Sequence, residues 1–195
     1  MGYYISTIDN LPMLSGYYFL LVGKANEHGR ICRTLYARFD EIAERIGVKS
    51  AIVKSFAPEN INKEIQEAFV HAPWFRKIYD DLLYREPALI IMKPHPKEFK
   101  FTEDEFFALI PFATLEKIYL DENELVQDIV ALAVDGSTKL MDKLMASEHK
   151  PGFFKRLGNA FILQPNFTGV GVDLKVLFRS NNVKCDYFIH GNNNL

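Results

Sequence analysis

An α/β domain is the fold class this sequence predicts: a three-layer, mostly parallel sheet of four to five strands flanked by helices, with a small C-terminal extension. Short, continuously apolar runs at 17–22 and 87–92 have the pattern of strands buried on both faces, since a half-exposed strand would alternate polar and apolar residues. Between them apolar residues recur at helical spacing. Strands that alternate with helices favour parallel pairing through right-handed crossovers.

The first run, Tyr17 to Val22, is the first central strand, and Gly23 ends it. Ile31, Leu35, Phe39, Ile42 and Ile46 then form one stripe of an amphipathic helix, with Gly47 as its stop. Ala51-Ile52-Val53 reads as the second strand. Pro58 opens the next helix, with Ile61, Ile65, Ala68 and Phe69 inward; Pro73 interrupts it, and Phe75, Ile78, Tyr79 and Leu82 carry the period on. The run from Pro87 to Met92 is the third strand. Thr102 and Glu105 have the spacing of a capping box, which predicts a short helix through about Leu109, closed by Pro111, and a fourth strand from Leu115 to Leu120. Asp121 with Glu124 repeats the cap, opening a helix with Leu125, Ile129 and Leu132 inward; Gly136-Ser137 breaks it before Leu140, Met141, Leu144 and Met145.

After Lys150-Pro151-Gly152 the pattern changes. Residues 1–150 are read as the α/β domain and 151–195 as an extension packed on it, because so few residues hardly bury an independent core. The extension holds an expected strand at 160–163, a short helix at 173–178, an apolar group at 187–189 and a polar tail at 191–195.

Composition excludes several function classes. Apolar residues at 48% and charged residues at 25% are globular values, and a net charge of -2 argues against a protein whose main work is gripping nucleic acid. No apolar stretch has the length of a membrane span, so no membrane partner and a cytoplasmic address are expected. Cys32 and Cys185 form no metal or disulfide pattern, and the five histidines are scattered. No cofactor and no metal are expected. Gly23 and Gly29 do not fit a phosphate loop, and Gly169-Val170-Gly171 lacks a third glycine.

The candidate site follows from the predicted parallel sheet. The loop after the first strand, the end of the second and the Lys93-Pro94-His95-Pro96-Lys97 exit of the third would emerge at one edge. Lys24, Glu27, Lys54, Lys93 and Lys97 are then candidate ligand-binding residues, and His28 and His95 candidate acid-base groups. Sequence alone favours a binding or interaction module that recognises a small anionic ligand or a protein partner. A transferase or hydrolase using the His/Lys crevice is the alternative. The many aromatics, among them Trp74, Phe99, Phe106, Phe107 and Phe153, are a candidate partner surface or a buried layer.

Residues 17 to 93 resemble the thioredoxin fold on a buried strand, a polar loop, Cys32 at a helix start, Asp40-Glu41-Ile42-Ala43 on that helix, and Pro87 opening a later strand as the family's cis-proline does. The family's nucleophilic cysteine falls at Gly29. The resemblance therefore implies a redox-degenerate thioredoxin-like domain in which Cys32 is the residual thiol; its reactivity toward a thiol probe is the test, and an inert Cys32 counts against this reading.

Overall fold

The computed structural model describes residues 1–22, 29–55, 61, 63–65, 67, 87–100, 105–148, 161–162 and 188–190. In chain order these form β1 (Gly2–Ile5), β2 (Tyr18–Val22), α1 (Arg30–Ala37), α2 (Phe39–Arg45), β3 (Ala51–Ser55), β4 (Ala88–Lys93), β5 (Phe106–Pro111), α3 (Phe112–Ile118), α4 (Glu122–Asp135), α5 (Lys139–Glu148), β6 (Phe161–Ile162) and β7 (Phe188–His190). Short 3-10 turns lie at Ile8–Asn10 and Pro96–Glu98, and residues 61, 63–65 and 67 are helical.

The central sheet runs β1-β3-β2-β4-β5. The strands β1, β3 and β2 are mutually parallel, whereas β4 lies antiparallel between β2 and β5. The sheet is therefore mixed, not mostly parallel. The apolar runs announced buried strands without announcing their direction: a strand covered on both faces has the same composition whether its neighbours run with it or against it. Beyond β5 the order continues to β7 and β6, with β7 antiparallel to β5 and β6 parallel to β7. β6 falls within the expected strand at 160–163, and β7 overlaps the apolar group at 187–189. The expected helix at 173–178 and the polar tail lie outside the described residues.

Every residue of β5, like the first five of β4, is buried, because alternate side chains enter two separate cores. On one face Phe19, Leu21, Ile52, Leu89, Ile91, Ala108 and Ile110 pack under α1 to α5. On the other, Tyr18, Leu20, Val22, Val53, Ile90, Met92, Phe107 and Leu109 meet Ile5, Ile8, Leu11, Phe99 and the helical residues Ile61 and Ile65. Each such large side chain contributes roughly 1.5–3 kcal/mol of burial, which makes the β2-β4-β5 trio the energetic centre of the domain.

Two elements exchange type relative to expectation. The predicted helix to Leu109 is strand β5, and the predicted strand at 115–120 lies mostly in helix α3. Glu105 immediately precedes the strand, and its carboxylate accepts from the Lys100 amide at 2.8 and 2.9 Å; Thr102, its expected capping partner, lies outside the described residues. Phe106 to Ile110 is an unbroken apolar run, and burial of such a run overrides a local capping signal. In α3, Phe112, Leu115 and Tyr119 lie three and four apart, and that helical stripe is buried. The single helix expected at 31–46 is two, α1 and α2, offset at Arg38 (φ -97°, ψ 16°). Asp121 caps α4 by accepting from the Asn123 amide at 2.8 Å, and α4 ends at Gly136, whose φ of 67° lies in the left-handed region open to glycine.

Of the aromatics singled out in the sequence, Phe99, Phe106 and Phe107 are buried. Trp74 and Phe153 lie outside the described residues. Among the described residues no helix is long and apolar enough to cross a membrane.

Candidate functional site

The sheet has two ends, and the direction of β4 assigns the candidate residues between them. Val22 pairs with Ala88, so the exits of β1, β2 and β3 share an edge with the start of β4. Tyr18 pairs with Met92, which places Lys93 and the turn after it at the opposite edge. The expected single crevice is therefore split. Lys54 lies at one end, and Lys93, His95 and Lys97 lie at the other. Lys24, Glu27 and His28 fall outside the described residues.

At the first edge, helix α1 begins at Arg30 after Gly29. The first amides of a helix lack intrahelical acceptors, and Gly29 has no side chain to offer one. The acceptor comes instead from α3. Because β5 also ends at this edge, Phe112 bonds to the Pro87 carbonyl at 3.0 Å, and α3 then runs past the start of α1. Glu116 of α3 accepts from the Ile31 amide at 3.0 Å. A β-carbon on Gly29 would collide with that carboxylate, so the glycine is what lets it enter. A negative charge beside a helix N-terminus is also favoured by the helix dipole.

Arg30 is committed to the same junction. Its guanidinium donates to the Tyr119 and Leu120 carbonyls at 2.6 and 2.9 Å and pairs with Glu122 at 2.8 Å. Cys32, one position beyond Ile31, is fully buried. Burial, reinforced by Glu116, pushes its thiol up to about 11, so the reactive thiolate is scarce at neutral pH. The residual thiol is not open to solvent.

Lys54 extends from β3 over three aromatic rings. Its Nζ lies 4.1 Å from the Phe39 centroid, 4.3 Å from Tyr4 and 5.8 Å from Tyr36. Tyr4 is its paired position across the β1/β3 ladder, and the Tyr4 and Phe39 rings are 5.0 Å apart. The ammonium is thus held over ring faces.

At the opposite edge Lys93 reaches over Tyr17, 5.5 Å from the ring centroid. His95 is buried, with 1% of its surface exposed, and its ring stands edge-on to Tyr18 at 5.2 Å. Its Nδ1 accepts from the Lys97 amide at 3.1 Å, and Lys97 Nζ pairs with Asp9 at 2.7 Å. Desolvation lowers the His95 pKa, opposed by the Leu11 carbonyl and by Glu98.

A further polar cluster was not anticipated. Asp128 is buried on α4, where it accepts from the Tyr119 hydroxyl at 2.9 Å and from Lys143 of α5 at 2.5 Å. Asp128 falls on the inward stripe beside Leu125, Ile129 and Leu132, and that placement was the available signal. Among the described residues no group of three or more His, Cys, Asp or Glu side chains could hold a metal ion.

No family model matches the chain, and no curated protein and no solved structure matches it either.

Proposed function

We propose that the chain is an α/β binding or interaction module that does not carry out thiol exchange. The central sheet sets three parallel strands, β1-β3-β2, beside antiparallel β4 and β5, and so brings the exits of β2 and β3 to one edge with the start of β4. Pro87, leading into β4, stands beside the exit of β2.

The observation that carries the reading is the Glu116 carboxylate in the space beside Gly29. At the position where a nucleophilic cysteine would sit, there is no side chain, and a carboxylate from α3 fills the gap. Thiol exchange needs an accessible thiolate. Cys32 is neither accessible nor ionised at neutral pH, and a negative neighbour raises its pKa further. Such an edge is suited to holding a partner rather than reducing it. Among the described residues there, Arg30 and Lys54 are both engaged, which favours a protein segment over a small anion as the ligand. A cytoplasmic setting, where Cys32 stays a free thiol, belongs to the same proposal.

The test uses a Cys185→Ser variant, so that Cys32 is the only thiol. An aromatic disulfide probe at pH 8 is expected to leave the native protein unlabelled and to label it stoichiometrically in denaturant. Reduction of insulin disulfides by the wild type is expected to be no faster than by Cys32→Ser. Rapid native labelling, or a disulfide reductase activity that Cys32→Ser removes, overturns the reading.

A further inference from the structure

We propose that His95 is an acid-released latch that holds the N-terminal segment 7–14 against the turn between β4 and β5. Three contacts tie the two pieces together. His95 packs edge-on against Tyr18, whose hydroxyl donates to the Pro12 carbonyl at 2.9 Å and accepts from the Leu14 amide at 2.5 Å. Lys97, two residues on, pairs with Asp9 at 2.7 Å. Beneath them Ile8 and Leu11 are buried in the same core as Phe99.

The chemistry of the ring makes this arrangement depend on protonation. Nδ1 accepts the Lys97 amide, so the neutral ring carries its proton on Nε2. Nε2 is buried without a hydrogen-bond partner, although the Leu11 carbonyl favours the protonated ring. A second proton can go only to Nδ1. There it would face the Lys97 N–H, donor against donor, while its charge entered an apolar enclosure. Both penalties are relieved when the ring turns out to water, and with it the 94–98 turn loses its contact with Tyr18.

Among the described residues, the charged and titratable groups facing the latch are Tyr3 from β1, Asp9 from the 3-10 turn, Tyr18 from β2, and Lys97 and Glu98 from the turn itself. Glu64 bonds the Ile8 amide from behind at 2.5 Å. Asp9 and Glu98 favour a charged ring, whereas burial and Lys97 oppose it, and burial prevails. The closed state therefore prefers neutral His95 more strongly than the open state does. Closure is complete above the ordinary histidine pKa of about 6.5 and weakens as pH falls below it, by at most about tenfold in the opening equilibrium per pH unit.

Hydrogen exchange of the full chain at pH 7.5 and pH 5.0, corrected for intrinsic rates, tests the latch. The amides of residues 8–11 and 97–100 are expected to lose protection by up to about tenfold per pH unit below about 6.5, while those of β2 and β4 keep theirs. His95→Asn separates the latch from general acid sensitivity, since an Asn oxygen can accept the Lys97 amide in an Asx turn but cannot titrate. Its exchange in these segments is expected to be flat between the two pH values. Equal acid response in His95→Asn, or loss of protection throughout β2 and β4, overturns the proposal. Should that variant fail to fold, NMR titration of the wild-type ring decides. A His95 midpoint below 6.5 that coincides with the loss of protection supports the latch, and a ring that titrates at or above 6.5 while the segment stays protected overturns it.

Discussion

The Glu116 carboxylate caps helix α1 by accepting from the Ile31 amide at 3.0 Å, in space left free by the absence of a side chain on Gly29. Two distant residues thus act as one cap, with glycine providing the room and glutamate the acceptor. Gly29→Ala is expected to push Glu116 aside and lower stability by about 1–2 kcal/mol, the usual range for losing an N-cap. Glu116→Ala should fall in the same range. The double variant should be clearly less destabilised than the sum, because both changes remove one interaction. Urea unfolding of the four proteins measures this, and additive effects would show that the two residues act independently.

How much of this was legible in sequence depends on what each signal encodes. The buried strands β2, β3 and β4 were legible because continuous apolar runs bounded by Gly, Ser or Pro have few other readings. Strand direction was not, since Val22 and Met92 look alike whichever way β4 runs, and direction decided the candidate site. Lys54 and His95 converge only if β4 runs parallel to β2, and it runs antiparallel. The exchange at 102–120 has a different origin. Thr102 and Glu105 supplied a local helix signal, but the enclosure of Phe106 to Ile110 by two cores outweighed it. The Gly29 and Glu116 pairing joins residues 87 positions apart, and no local pattern announces such a contact.

Lys54 tests whether the lysine read as a ligand clamp is instead a structural cation. With Phe39 and Tyr4 at 4.1 and 4.3 Å, the ammonium gains from their ring faces and the alkyl stem from packing. Lys54→Met keeps the stem and removes the charge; it is expected to lower stability by about 0.5–2 kcal/mol. Phe39→Leu should reduce that difference in a double-variant cycle. An NMR titration with inorganic phosphate is expected to give no saturable shifts at Lys54. Saturable shifts together with an unchanged stability in Lys54→Met would restore it as an anion ligand.

The Asp128 cluster yields the largest single-site effect among these variants. Asp128 and Tyr119 are buried, and the Tyr119 hydroxyl and the Lys143 ammonium share one carboxylate oxygen. Lys143 also pairs with Glu124 at 2.7 Å and lies 4.7 Å from the Tyr119 ring centroid. Removing the carboxylate strands a buried hydroxyl and part of a cation, so Asp128→Ala is expected to cost about 3–5 kcal/mol. Tyr119→Phe leaves Asp128 with Lys143 and should cost only about 1–2 kcal/mol. The pH dependence has a defined sign. Burial, and then Asp128, raise the Tyr119 pKa; burial lowers that of Lys143, but its bonds to Asp128 and Glu124 outweigh this and raise it. Both groups hold their protons more tightly in the folded chain, so their contribution is present below the ordinary values near 10 and is lost above them. Urea unfolding between pH 6 and 11 should therefore show wild type and Asp128→Ala separated by a constant amount to about pH 9 and converging beyond it. A gap below about 1 kcal/mol at pH 7, or one that widens with alkali, would mean that Asp128 does not organise the packing of α4 on α5.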